Sequence, residues 1–435
     1  MRTPHLRSAL LVSFSLLAAA RARPTPAQPL RTPTVTYRRA FVTSTVGPGV
    51  LGSWSETTGT GLTGLAAGDK ICQVRAEAAG FATAGSPAYR AWLSTSTVDA
   101  FCHVQGLGGK RSDPTPCGGA TLPGGGPWIR PDGLPFAAAL ATLVSPADLV
   151  TPAAVTETWP AAGSTLLSAS FFTGTLETGE IDLGSTSCAD WTSGSAFLLV
   201  TAGRIDDVLD WSSGSQPTCF GDFPTGSHLL CLEQGTGPQA PFPKAFGYLF
   251  FVTSEAGTGK LSTWPDAGGL AGRDAADHVC QSLATAAHLP APQGFLSWLS
   301  ALFGMSAIDR LPGGPFSRID GIQVAESALD LADGTLSAPL SLDETGAAKN
   351  EEPYTGTGTD GSWSVDTCNG WLSEDSIAPG LKGASSRTNG DWTEFHGAGF
   401  HCDESRPIYC FSTTFLLFAD GFEIGDPSHW DGHAP

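Results

Sequence analysis

The residues with the most chemistry to offer are the ten cysteines of this 435-residue chain, and the run HCDESRPIYCF at 401–411 holds two of them. Cysteines at such spacing serve as metal ligands, as a redox couple or as parts of a disulfide framework. A zinc site would need a close CxxC pair, an HExxH run or a histidine pair beside the cysteines, and none is present. Other reactive patterns are incomplete. GTGKLS at 257–262 lacks the first glycine of a phosphate loop, and leucine follows its lysine. GSTSC and SGSAF lack the strand–GxSxG–helix context of a hydrolase serine. His396 and His401 flank the loop before Cys402, with no counterpart earlier in the chain, and read as polar loop residues. No catalytic residue, metal ligand set or cofactor motif is expected.

The N-terminus favours the disulfide reading. Basic MRTPHLRS precedes the apolar run ALLVSFSLLAAA and a small-residue ARA site, which is the pattern of a secretory signal peptide over 1–22. The apolar run is shorter than the ~20 residues that span a bilayer. An exported chain meets an oxidising compartment, where an even set of cysteines pairs. The expected location is extracellular or periplasmic. The net charge of −19 excludes a general nucleic-acid binder and disfavours anionic membranes.

The elements that would position these cysteines occur twice. AFVTST at 40–45 returns as FFVTSE at 250–255, and GDKIC ending at Cys72 returns as ADHVC ending at Cys280. RAWLS, RPDG, FFTGT, CADW and a DW return in the same order as LSWLS, RIDG, PYTGT, CNGW and DW. Each half closes on a cysteine pair, Cys219 with Cys231 and Cys402 with Cys410. Repetition in constant order predicts two diverged copies of one domain, over 40–234 and 247–413. A Pro-rich segment over 23–39 precedes them, a Pro/Gly linker over 235–246 separates them, and a tail over 414–435 follows.

FVTST and LFFVTS read as opening strands, and HLLCLE and PIYCFS as closing ones. AAGDKICQVRAEAAGF and GRDAADHVCQSLATAAH have helical spacing, with Asp69 and Asp277 expected in the first turn, where the dipole favours an acid. PAYRAWLST and GFLSWLSALFGM are expected to form a second helix. Early helices and late strands make each copy an α+β domain. Each copy carries four cysteines, one on the helix, one before a tryptophan and two at the end. Four cysteines allow three pairings, and tying helix to last strand is only one of them. Cys102 and Cys117 belong to the first copy alone and flank HVQGLGGKRSDPTP, which they are expected to close on itself.

A helix cysteine, a later C..W and a C-x7-C ending in an apolar strand resemble the C-type-lectin-like fold. GFLSWLSAL, YTGTGTDGSWSVDTCNGW and FHCDESRPIYCF in the second copy resemble endostatin more closely. The set FVTS, DG, TGT, CNGW and YC looks like a bacterial secreted-protein domain of unknown function assigned to that fold. The first copy departs from it, because eleven residues separate Cys219 and Cys231. The resemblance implies nested bridges: Cys280–Cys410 around Cys368–Cys402, and Cys72–Cys231 around Cys188–Cys219. The tail at 416–430 resembles a DGFESGD…W segment that closes many exported bacterial proteins, with either a sorting role or none.

The resemblance does not carry calcium-dependent sugar binding. EEPY at 351–354 lies on the wrong side of Cys368 for an EPN or QPD loop, and NGDW at 389–392 is not WND. Asn389, Asp391 and Glu394 could offer oxygens to a hard cation, but a solvated acidic loop is the simpler reading. Nor does heparin binding carry over, since 247–413 hold 8 Lys and Arg against 21 Asp and Glu. The expected function is a secreted binding or adhesion module for an extracellular protein or glycan. Its candidate ligand loop holds Asn389, Asp391, Trp392 and Glu394, with Asp210 and Trp211 at the matching place in the first copy. A tryptophan there is a core residue or a binding anchor. Two alternatives stand: an oxidase of the formylglycine-generating kind, for which only Cys102 and Cys117 are spare, and a passive matrix component. With the linker at 235–246, limited proteolysis should cut first there and release two stable halves; first cuts inside either half would show a fused unit.

Overall fold

A computed structural model describes residues 37–416, apart from 83–87, 146–148, 162, 164, 167–168, 222–225, 238–246 and 396–400. The signal peptide, most of the linker, His396 and nearly all of the tail lie outside the described residues.

Among the described residues, twelve strands form two sheets. β1 (Arg38–Val42), β2 (Tyr89–Ala91), β3 (Trp128–Ile129), β4 (Pro135–Ala137), β5 (Ser170–Phe172), β6 (Ala202–Arg204) and β7 (His228–Glu233) make the first. β8 (Tyr248–Val252), β9 (Phe295–Ser297), β10 (Phe316–Arg318), β11 (Gln323–Ala325) and β12 (Tyr409–Ser412) make the second. The first has the order β4-β3-β1-β7-β5-β6, with β2 also on β7, and the second β11-β10-β8-β12-β9. In both, the opening strand runs antiparallel to the closing strand, with Phe41 opposite Cys231 and Phe251 opposite Cys410. In both, the opening strand also runs parallel to a short strand before the Arg-x-Asp-Gly turn.

One long helix packs on each sheet, Gly64–Ala78 on the first and Gly272–Ala286 on the second. Ala67, Ile71, Cys72 and Ala76 are buried in one, and Ala275, Ala276, Val279, Cys280 and Ala284 in the other. Small residues on these faces let each helix lie close to its sheet. Both helices open on a glycine at φ 59°, a left-handed conformation that other residues adopt at a penalty. Among the described residues the remaining helical elements do not exceed five residues, so the architecture is α+β.

The first-turn placement of Asp69 and Asp277 is corrected, since each is the sixth residue of its helix. Asp69 accepts a hydrogen bond from Ala91 N at 3.1 Å and pairs with Arg90 and His103. Asp277 accepts from Ser297 N at 2.9 Å and pairs with Arg310. Their carboxylates therefore hold an edge strand. The expected second helix is corrected for the same reason, because PAYRAWLST and GFLSWLSALFGM hold β2 and β9. Those segments pair with β7 and β12, and the tryptophans that follow, Trp92 and Trp298, enter the core.

The bridges join Cys72–Cys231, Cys188–Cys219, Cys102–Cys117, Cys280–Cys410 and Cys368–Cys402. Cys402 and Cys410 thus have different partners, and the opening run is structural. Trp191 and Trp371, three residues after Cys188 and Cys368, donate to Ser94 O and Ser300 O at 2.8 and 2.7 Å. Between cysteine and tryptophan the chain is left-handed at Ala189, Asp190 and Asn369, which holds both residues inward. A second shared lock sits at the end of the opening strand. Ser44 N donates to Glu157 Oε2 at 2.8 Å, and Ser254 N to Glu344 Oε2 at 3.0 Å, with both glutamates buried. The Cys280–Cys410 bridge closes 130 residues and Cys368–Cys402 closes 34. In the chain-entropy picture these contribute about 5 and about 4 kcal/mol. Denaturant unfolding should show Cys280→Ala/Cys410→Ala destabilised more than Cys368→Ala/Cys402→Ala, and the reverse order would place the main staple elsewhere.

Candidate functional site

The loop singled out in the sequence is not a free recognition surface. Trp211 and Trp392 are fully buried, so the anchor reading is corrected for both. Trp211 stacks on Trp92 with ring centroids 5.1 Å apart, and Trp392 on Trp298 at 5.4 Å. Glycines permit this burial: a Cβ at Gly203 would fall 1.9 Å from Trp211 O, and one at Gly383 would fall 2.0 Å from Trp392 O. The Gly- and Ser-rich stretch before Trp392 is interior, with Lys382, Ala384, Ser385, Ser386 and Thr388 all buried.

This stretch meets the first half. Val208 N donates to Ser386 O at 3.1 Å, and Thr388 N to Asp206 O at 2.9 Å. Across the bridge Arg387 Nε donates to Asp207 at 3.0 Å, while its Nη1 pairs with Asp391 and Asp210 lies 4.0 Å away. Burial opposes the charge of Arg387, but the carboxylates outweigh it and hold the guanidinium protonated. Burial raises the Asp206 carboxyl above its usual range despite Arg204. Burial, reinforced by Asp207, does the same for Asp210. Asn389 caps its own turn by accepting from Asp391 N at 3.1 Å, and Glu394 accepts from Thr359 N at 2.8 Å. The oxygens offered to a cation therefore point to separate partners, and among the described residues no group of three acidic, histidine or cysteine side chains is arranged to hold a metal.

Two further contacts join the halves. Arg318 Nη1 donates to Val150 O at 3.0 Å, and Leu134 and Val150 pack against the core around Trp298 and Trp392. Beside them opens a cleft of about 430 Å³ lined from both halves. Its first wall is the Arg-x-Asp-Gly turn, where Gly133 at φ 90° reverses the chain. There Arg130 is bound to Asp132 and donates to Pro152 O at 2.9 Å. Trp159 stands on the same side, 41% exposed. The opposite wall is a short turn at Ala328–Leu331 with a reciprocal cap. Asp330 N donates to Ser327 Oγ at 3.1 Å and Glu326 N to the Asp330 carboxylate at 2.7 Å. Leu336, whose N donates to Thr388 O at 2.7 Å, belongs to the floor.

None of Asp132, Trp159, Glu326 and Asp330 was singled out in the sequence. Trp159 lacks a tryptophan counterpart in the other half, but so do Trp128 and Trp363, so the sequence held no signal that marks Trp159 in particular. No family model matches the chain, and no curated protein is significantly similar to it.

Removing Arg387 would leave buried carboxylates facing one another. Arg387→Ala should lower unfolding free energy by about 3 kcal/mol near neutral pH. Carboxyls raised in the folded state bind protons there first, so stability gained from them falls as pH rises. The deficit should therefore shrink from about pH 7.5 to about pH 5 in chemical denaturation, and a deficit constant across that range would contradict the charge argument.

Proposed function

We propose that this chain is an exported bacterial binding protein made of two copies of a C-type-lectin-like domain, without catalysis, and that its ligand sits in the cleft between them. The repeated motifs, the matching strand orders and the nested bridges support two copies of one fold. The signal-peptide pattern and the cysteine content support export, and no described helix is long and apolar enough to cross a membrane. Bonding of all ten cysteines speaks against an oxidase that needs a thiol.

The observation that carries the reading is the half-exposed indole of Trp159 in a cleft lined by both halves. Concave sites with an aromatic wall and a few polar groups suit small ligands or peptide side chains. Acidic walls reject polyanions such as heparin and nucleic acids. Screening the mature protein against glycans and extracellular proteins should yield a partner whose binding survives a chelator. That partner should be lost on Trp159→Ala and retained on Phe197→Ser, a change at a remote exposed side chain. Binding abolished by the chelator, or equal in both variants, would overturn this reading.

A further inference from the structure

We infer that the cleft recognises a cationic side chain, a lysine or arginine on a segment of extracellular protein; this deepens the reading above and rests on it. The charges decide the class. Arg130 is the cleft's guanidinium, only 4% exposed and engaged by Asp132 and Pro152 O. It presents little charge to an incoming group. Glu326 and Asp330 stand on the opposite wall, and neither has an ion-pair partner among the described residues. Sugar hydroxyls can donate to these carboxylates but leave their charge uncompensated, whereas an ammonium or guanidinium both donates and neutralises it.

The remaining lining fits the same class. An indole face attracts ammonium and guanidinium groups, and Trp159 lines the same cleft as the two carboxylates, on the wall facing them. Leu166 and Leu336 offer apolar surface for the methylene stem of such a side chain. The volume of about 430 Å³ lies in the range of small-ligand sites, about 300–1,000 Å³. The net charge of −19 draws cations from a distance and repels acidic competitors.

The test is calorimetric titration of the full mature protein with three probes: a lysine–alanine octapeptide, its glutamate–alanine counterpart and a neutral chito-oligosaccharide. The lysine peptide should bind, more weakly as salt rises, and the glutamate peptide should not. Trp159→Ala should weaken lysine-peptide binding about 3- to 30-fold, with Trp159→Phe restoring part of it. Glu326→Gln should weaken it while circular dichroism and melting stay unchanged. No binding of the lysine peptide, equal binding of the glutamate peptide, or indifference to Glu326→Gln would overturn the cationic assignment. Oligosaccharide binding lost on Trp159→Ala but kept on Glu326→Gln would overturn it too, while leaving the cleft as the binding site. Ligand binding unaffected by Trp159→Ala would remove the cleft itself.

Discussion

The closing strand of each half is the member on which the others depend, because strand pairing on both sides and a disulfide meet there. β7 lies between β1 and β2, and β12 between β8 and β9, so each supplies hydrogen bonds to both sides. Each also carries the cysteine bonded to the long helix. The strand comes last in its half yet sits in the middle, so neither sheet is complete until distant parts of the chain have met. Such non-local closure is entropically expensive, and the helix-to-strand bridge offsets it by restricting the unfolded chain.

Charge placement follows the same logic. Asp69 and Asp277, half-buried on their helices, hold edge-strand backbone, and Glu157 and Glu344 hold the turn after the opening strand. These acids act within the architecture. Asp207 and, at 4.0 Å, Asp210 reach Arg387 across the junction, while Asp391 holds the same guanidinium from its own side. A single Arg387 among three or four acids fixes the register of the contact more sharply than apolar packing would, since a shift leaves buried charge unpaired.

Burial of the 381–388 segment moves the accessible surface elsewhere. Once that segment and 206–210 are paired, the exposed ground at the junction is the cleft, with Trp159 on one side and the capped turn of Glu326 and Asp330 on the other. Its walls come from non-matching positions of the repeat, Trp159 in one half and Ser327 to Asp330 in the other.

Much of the frame is legible in the sequence. Periodic apolar runs mark the long helices and the opening and closing strands, because burial on one face leaves its period in the residue order. The repeat marks two equivalent sets of cysteines, and the resemblance names their nested partners. Local pattern fails at RAWLS and LSWLS, which hold helix-compatible residues but become strands once Asp69 and Asp277 and the closing strands bind them. It fails again at the Gly- and Ser-rich stretch before Trp392, whose composition suits a mobile loop. Composition records what a segment tolerates when exposed, whereas its burial depends on Asp207 and Val208, some 180 residues away in the chain. Only tertiary packing could decide that the tryptophans of both DW pairs are core and that Trp159 faces solvent, because exposure is a property of what lies opposite a side chain, and neither Trp392 nor Trp159 carries that information in its neighbours.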